Sequence, residues 1–132
     1  MRFGALAAAI FLVAGCATLE QKPPYLTGSW GGPGIGVTFR GALADVQFDC
    51  AMGSIDGLVM AAQGGAFSVK GMYRAGASGP IRVGQRFITQ PATYSGDVVK
   101  DVMTLSVELD DGSKFGPFTL TQGAPAQITR CL

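Results

Sequence analysis

Few side chains in this sequence could act as acids or bases. The 132-residue chain has nine carboxylates, seven Asp and two Glu, and it has no His. Without imidazole there is no catalytic triad, and Ser and Thr lack their usual activating base. The chain also has no G-x-S-x-G sequence, no phosphate-binding loop and no D-x-D-x-D-G calcium loop. We therefore expect no enzyme activity, no bound metal and no cofactor.

Two of the carboxylates share one face of a predicted strand. Asp45 and Asp49 are four residues apart, which corresponds to about 13 Å along an extended chain. A pair of carboxyl groups that cleaves glycosides lies closer together, at ~5–9.5 Å. We therefore expect Asp45 and Asp49 to be surface side chains.

One segment combines basic and apolar side chains. Arg74 precedes the long, Gly-rich stretch from residue 75 to 91, which contains Arg82, Arg86 and Phe87. Guanidinium groups beside an aromatic ring could contact an anion such as a lipid headgroup or a glycan. These four residues are a possible binding rim, and the alternative is a solvated loop without a ligand.

The N-terminus has the composition of an export signal. Arg2 is followed by an unbroken apolar and Gly stretch, residues 3–14, shorter than the ~20 residues that a spanning helix needs. The stretch ends in Leu12-Val13-Ala14-Gly15-Cys16, which resembles the bacterial lipobox. The resemblance implies cleavage before Cys16, a diacylglycerol on its thiol and acylation of the freed amine. The alternative is an ordinary secretory signal.

The predicted anchor divides the chain into three parts. Residues 1–15 form a lipoprotein signal peptide, residues 16–26 a lipidated tether stiffened by Pro23-Pro24, and residues 27–132 a single β domain. Ala17 rather than Asp follows Cys16, and in enterobacteria-like sorting this favours the outer membrane. We expect a monomer in the cell envelope, anchored by lipid and facing the periplasm.

Two cysteines remain once Cys16 carries lipid. Cys50 and Cys131 would then lie in an oxidising compartment, where two thiols have one possible pairing. A disulfide between them would close a loop of about eighty residues, worth roughly 4 kcal/mol in the chain-entropy description. The alternative is a reactive or metal-binding pair of free thiols.

Period-two alternation dominates the remainder of the chain, and helical periodicity is nearly absent. The run Met103, Leu105, Val107 and Leu109 is the clearest example. Similar runs cover residues 37–39, 46–50, 67–73 and 118–120, residues 126–130 predict a last short strand, and Asp111-Gly112 predicts a two-residue hairpin turn. The sequence therefore predicts an all-β fold, either a small antiparallel barrel of seven or eight strands or a sandwich.

Gly28-Ser29-Trp30 resembles the G-x-W signature of lipocalins and avidin-like barrels. The resemblance implies a lipocalin-like barrel in which Trp30 plugs one end and an Arg near the C-terminus lies over the indole ring. Arg130 is suitably placed in the sequence, and such a pair would be a favourable cation–π contact. The alternative is that Trp30 is simply the largest core residue.

A second resemblance extends over nearly the whole predicted domain. Its motifs are Gly28-Ser29-Trp30-Gly31-Gly32, Phe48-Asp49-Cys50-Ala51, Gly53-Ser54-Ile55-Asp56, Gly71-Met72-Tyr73, Gly79-Pro80, Met103-Thr104-Leu105 and the closing Cys131-Leu132. Together they resemble a family of small bacterial exported proteins with no established activity. This resemblance implies export and implies no reaction.

These observations predict a lipid-anchored binding module of the cell envelope. Its partner would be an envelope protein, a lipid or a glycan. Nucleic acid is excluded because ten basic residues are balanced by nine acidic ones, for a net charge of +1. The alternatives are a small-ligand carrier of the lipocalin type and an inhibitor of an envelope hydrolase. The space inside the barrel distinguishes the carrier from the binding module.

Overall fold

A computed structural model describes residues 25–60, 65–76, 83–84 and 88–131, together with the isolated residues 4, 10, 12 and 15. Most of the predicted signal peptide and tether, including Cys16, lies outside the described residues. Within the described part of the chain every regular element is a β-strand. No helix in this part is long and apolar enough to cross a membrane.

Eight antiparallel strands close into one barrel. Each strand pairs with the next along the chain, and β1 also pairs with β8, so that the sheet has no free edge. This confirms the predicted small all-β barrel and excludes the sandwich. The strands are β1 (Gly28–Gly32), β2 (Ile35–Arg40), β3 (Leu43–Phe48), β4 (Ala51–Asp56), β5 (Ala66–Ala75), β6 (Thr89–Val99), β7 (Val102–Leu109) and β8 (Lys114–Gln122).

The up-and-down order gives the barrel two distinct ends. We call one the tether end, because the described chain arrives there at Tyr25 and Leu26, beside the turns at residues 41–42 and 100–101 and the segment 57–60 that follows β4. We call the other the disulfide end, which holds the turns at residues 33–34, 49–50 and 110–113. Tyr25 bridges Met60, and Leu26 packs against the core. These two residues therefore belong to the domain, although the sequence assigned them to the tether.

Inward-facing side chains form one continuous apolar core. Paired positions such as Val37 and Val46, or Met103 and Leu120, face the lumen together, because directly opposite residues in a sheet share a face. The buried core is Trp30, Ile35, Val37, Ala44, Val46, Phe48, Ile55, Val59, Phe67, Ala92, Tyr94, Met103, Leu105, Val107, Leu109 and Leu120.

Tyr94 fills the middle of the lumen. Its ring is fully buried, and its hydroxyl donates a hydrogen bond of 2.7 Å to the Met72 carbonyl on β5. Gly53 and Gly71 leave the room that the ring occupies. A Cβ on Gly53 would overlap the Tyr94 hydroxyl, and one on Gly71 would lie 2.9 Å from ring atom Cε2.

Aromatic rings occupy the lumen towards the disulfide end. The rings of Phe48 and Tyr73 are 5.4 Å apart in an edge-on arrangement, and those of Tyr73 and Phe115 stack at 5.3 Å. Phe118 lies 6.0 Å from Phe48. Because these residues come from β3, β5 and β8, which are not neighbours, their rings meet across the barrel.

The chain reverses after β8 and runs back along the outer face of β1 and β2. We call residues 124–131 the C-terminal strap. Gln127 anchors it, accepting a 2.9 Å hydrogen bond from the Gly34 N–H and donating one of 3.1 Å to the Gly32 carbonyl. The predicted strand at 126–130 is therefore wrong, since only a single bridge, Pro33 to Gln127, forms there. The closed barrel has no free edge that could accept a ninth strand.

Two glycines make room for the strap. Gly31 and Gly36 are paired across β1 and β2 and face outward beneath it. A Cβ on Gly36 would lie 2.5 Å from the Cβ of Ala126, and one on Gly31 would overlap the backbone of residues 124–126. Both glycines are buried, which reflects the cover that the strap provides.

The turn between β7 and β8 differs from its prediction. Four residues, Asp110 to Ser113, connect the strands, and only Gly112 has a positive φ, at 89°. A two-residue type I′ turn would need positive φ at both central positions. The Asp111 carboxylate instead accepts a 2.9 Å hydrogen bond from the Ser113 N–H, which holds the pKa of Asp111 below its ordinary value.

Strap docking predicts a specific pattern of stability in three variants. Gly36→Ala should lower the free energy of unfolding by about 1–3 kcal/mol, because the new methyl group collides with Ala126. Adding Ala126→Gly should restore most of that loss, and thermal unfolding of the parent, both single variants and the double variant measures the coupling. Equal stability of Gly36→Ala and the parent, or no rescue in the double variant, would contradict the strap position.

Candidate functional site

A groove runs along the outer face of the barrel. Its larger part, about 430 Å³, lies between the strap residues Ala124–Ala126 and the outward side chains of β2, β3 and β4. A second part of about 290 Å³ continues across β4 and β5 as far as Arg74 and Thr89. Asp45 and Met52 line both parts. We call the two parts together the outer groove.

Charged, polar and thioether groups line the outer groove. Arg40 and Asp45 form an ion pair with an N–O distance of 2.9 Å. Because 72% and 59% of these side chains are exposed, the pair adds little to stability and remains accessible to a partner. Arg74 donates a 2.7 Å hydrogen bond to the sulfur of Met52, and the Met52 side chain is 48% exposed.

The predicted binding rim is only partly described. Arg74 lies on the outward face of β5, opposite Met52 and Thr89 in the register. Arg82, Arg86 and Phe87 lie outside the described residues, so the proposed gathering of three arginines stays a prediction. Arg74 instead contributes to the outer groove with Met52.

The disulfide between Cys50 and Cys131 is confirmed. Their Cα atoms are 5.0 Å apart, and the bond links the β3–β4 turn to the end of the strap across 81 residues. Adjacent hydrogen bonds reinforce it. The Thr129 N–H donates to the Asp49 carboxylate at 2.6 Å, and the Cys50 N–H donates to the Thr129 carbonyl at 3.3 Å. Asp49 is thus an anchor for the strap rather than a free surface carboxylate.

Trp30 lies in the core, as predicted, but Arg130 does not cover it. Trp30 is 3% exposed, faces the lumen in the tether half of the barrel, and donates its indole N–H to the Thr27 carbonyl at 3.0 Å. Arg130 is exposed on the strap, on the outside of the barrel and next to the disulfide end. The predicted stacking is wrong, because the wall of the barrel separates the two side chains.

The described residues contain no assembled metal or acid–base centre. No group of three or more Cys, Asp or Glu side chains gathers in this part of the chain. No polar or charged residue is buried there apart from Tyr94, whose burial raises its pKa, and its hydroxyl is hydrogen-bonded. Burial also raises the pKa of Tyr73.

Sequence reasoning did not identify the outer groove. Met52 and Asp45 are on neighbouring strands, and the strap that forms one wall of the groove returns from 80 residues further along the chain. One local signal was present. Gly31 and Gly36 fall at outward positions, where a strand normally carries polar side chains, and glycine there can indicate a close backbone approach.

Comparisons with known proteins give no relative. No family, no curated protein and no solved structure matches this chain. Its function has to be argued from its own residues.

The positions of Trp30 and Arg130 predict that their removal changes stability by very different amounts. Trp30→Ala should lower the free energy of unfolding by ~3–5 kcal/mol, because it empties a large volume inside the core. Arg130→Ala should change it by less than about 0.5 kcal/mol, as for other exposed side chains. Thermal or denaturant unfolding of the two variants beside the parent measures both values. An unchanged melting temperature for Trp30→Ala, or a large loss for Arg130→Ala, would contradict these positions.

Proposed function

We propose that the protein is a lipid-anchored binding module of the bacterial cell envelope. It is held to the membrane through Cys16 and binds another envelope component through the outer groove. The observation that carries the binding assignment is the packing of Tyr94 between Gly53 and Gly71. A barrel whose lumen is occupied by its own side chains has to bind on its outer face, and the outer groove is a concave surface on that face.

The disulfide supports the envelope location. Disulfides form and persist outside the cytoplasm, where thiols are not kept reduced. The Cys50–Cys131 bond fastens the strap that forms one wall of the outer groove. The same bond therefore fits the export signal and maintains the shape of the proposed binding surface.

The core weighs against the lipocalin-type carrier. A carrier needs a cavity of ~300 Å³ or more that is reachable from one end. Tyr94 crosses the centre of this barrel, Trp30 occupies the tether half, and the aromatic rings meet towards the disulfide end. The binding module is therefore the better supported of the two functions.

The anchor and the binding surface can be tested in one set of cells. Protein isolated from the membrane fraction should begin at Cys16 and carry the mass of a diacylglycerol plus an amide-linked acyl chain. A photoreactive amino acid at Gln47, an exposed position in the outer groove, should crosslink to another envelope component. Cys16→Ser should release the protein from the membrane fraction.

A matched control separates specific from random crosslinking. Glu108 is also exposed and faces outward, but it lies on β7, away from the outer groove. The same photoreactive residue at Glu108 should give no such product. An unmodified N-terminus in the membrane fraction contradicts the lipid anchor, and equal crosslinking from the two positions contradicts the outer groove as the binding surface.

A further inference from the structure

Five of the nine large apolar side chains that are exposed on the described barrel lie at one end, while Met52, Val83, Ile88 and Phe115 are exposed elsewhere. Leu43, Leu58, Met60, Val99 and Val102 are 58%, 46%, 60%, 61% and 39% exposed, and all five lie at or beside turns of the tether end. Single exposed apolar residues are ordinary, but a set gathered at one end indicates a contact surface. We call these five residues the apolar tip.

Hydrogen bonds hold the parts of the apolar tip together. The Gly57 N–H donates to the Ala42 carbonyl at 2.7 Å, which joins the turn next to Leu43 to the segment that carries Leu58. On the far side of the barrel end, the Gln122 N–H donates to the Asp101 carbonyl at 2.8 Å and fixes the turn between Val99 and Val102. The apolar side chains therefore project from fixed backbone.

The tether reaches the domain at this same end. Tyr25 bridges Met60 of the apolar tip, and the Leu26 N–H donates to the Val59 carbonyl at 2.9 Å. Nine peptide units separate Cys16 from Tyr25, so the tether can extend no further than about 30 Å. An acyl anchor on Cys16 thus keeps the apolar tip within about 30 Å of the bilayer, at a high effective concentration.

We propose that the apolar tip is a membrane-contacting surface that docks on the bilayer holding the lipid anchor. This inference rests on the lipid anchor of the proposed function and adds an orientation to it. The tether end faces the lipid, and the disulfide end and the outer groove point away from it or to the side. Tyr25, half-buried at the same end, has the amphipathic ring that suits a membrane interface.

The charges at this end fit apolar contact rather than electrostatic attraction. Arg40 forms its ion pair with Asp45, Lys100 adjoins Asp101 in the sequence, and Asp56 ends β4 nearby. Such a balanced set gives no basic patch for anionic headgroups. Docking should therefore depend on the apolar side chains and should change little with salt concentration.

Tryptophan substitutions can measure the orientation. The full lipidated protein, with its acyl mass verified, is placed in phosphatidylethanolamine–phosphatidylglycerol vesicles whose acyl chains are brominated. The Trp emission of Leu58→Trp should lie at shorter wavelength than that of the same variant without vesicles. The brominated acyl chains should also quench it. Val99→Trp probes the other side of the apolar tip and should behave in the same way.

Ile88→Trp is the matched control. Ile88 is 79% exposed but lies just before β6, at the disulfide end. Its emission should be neither shifted nor quenched, and the buried Trp30 gives the same background in every variant. Equal quenching at positions 58 and 88, or quenching at neither, overturns the orientation.

The remaining outcomes are also decisive. A protein that lacks the acyl mass overturns the lipid anchor and the docking with it. A protein that carries the acyl mass but leaves Leu58→Trp unquenched overturns the docking alone. A wavelength shift at Leu58→Trp that rises with protein concentration, without quenching by bromine, assigns the apolar tip to contact between two copies and also contradicts the proposal.

Discussion

A closed barrel of eight strands has a lumen that its own side chains must fill unless a ligand does so. In this protein the filling depends on Tyr94, which can cross the centre because Gly53 and Gly71 present no side chain to it. The hydroxyl reaches a carbonyl on β5, so the ring is fixed in place and its polar atom is satisfied. Trp30 on one side and the aromatic rings on the other complete the packing. This packing is the basis for proposing that the protein binds through its outer surface.

The strap is the second element that gives the surface its form. It covers the outward glycines of β1 and β2 and is fastened at its end by the Cys50–Cys131 disulfide. Without it, the outer groove would lose one of its walls, since Ala124–Ala126 line its larger part. The oxidising environment that the disulfide requires and the shape of the proposed binding surface are thus physically coupled.

The sequence predicts the strands whose apolar residues alternate with polar ones, and it misses the others for identifiable reasons. β7 alternates without interruption from Met103 to Leu109. β4 carries Ala51, Gly53 and Ser54, and β6 contains Pro91 and Gly96, and these residues interrupt the alternation of large apolar and polar side chains by which a strand is recognised. Both are strands because their neighbours pair with them on either side. Of these small residues, Gly53 is explained by the lumen, because a Cβ there would overlap the Tyr94 hydroxyl.

Of the contacts between residues far apart in the sequence, some could be predicted and others could not. The disulfide could be predicted because, with Cys16 assigned to lipid, only one pairing remained. The contact between Arg130 and Trp30 could not be judged from sequence, because it depends on which side of the barrel wall the strap follows. That side is decided by Gly31 and Gly36, and their role is visible only once the register of β1 and β2 is known. The outer groove depends on the same arrangement.

The claim on which this account rests is that the lumen is filled and that the protein acts through its outer face. Titration of the folded protein with a fluorescent fatty acid, read through the emission of the probe and of Trp30, tests it directly. The account predicts no saturable one-to-one binding and no change in Trp30 emission. Saturable binding of one probe per barrel, displaced by unlabelled fatty acid and accompanied by quenching of Trp30, would contradict it and favour the carrier.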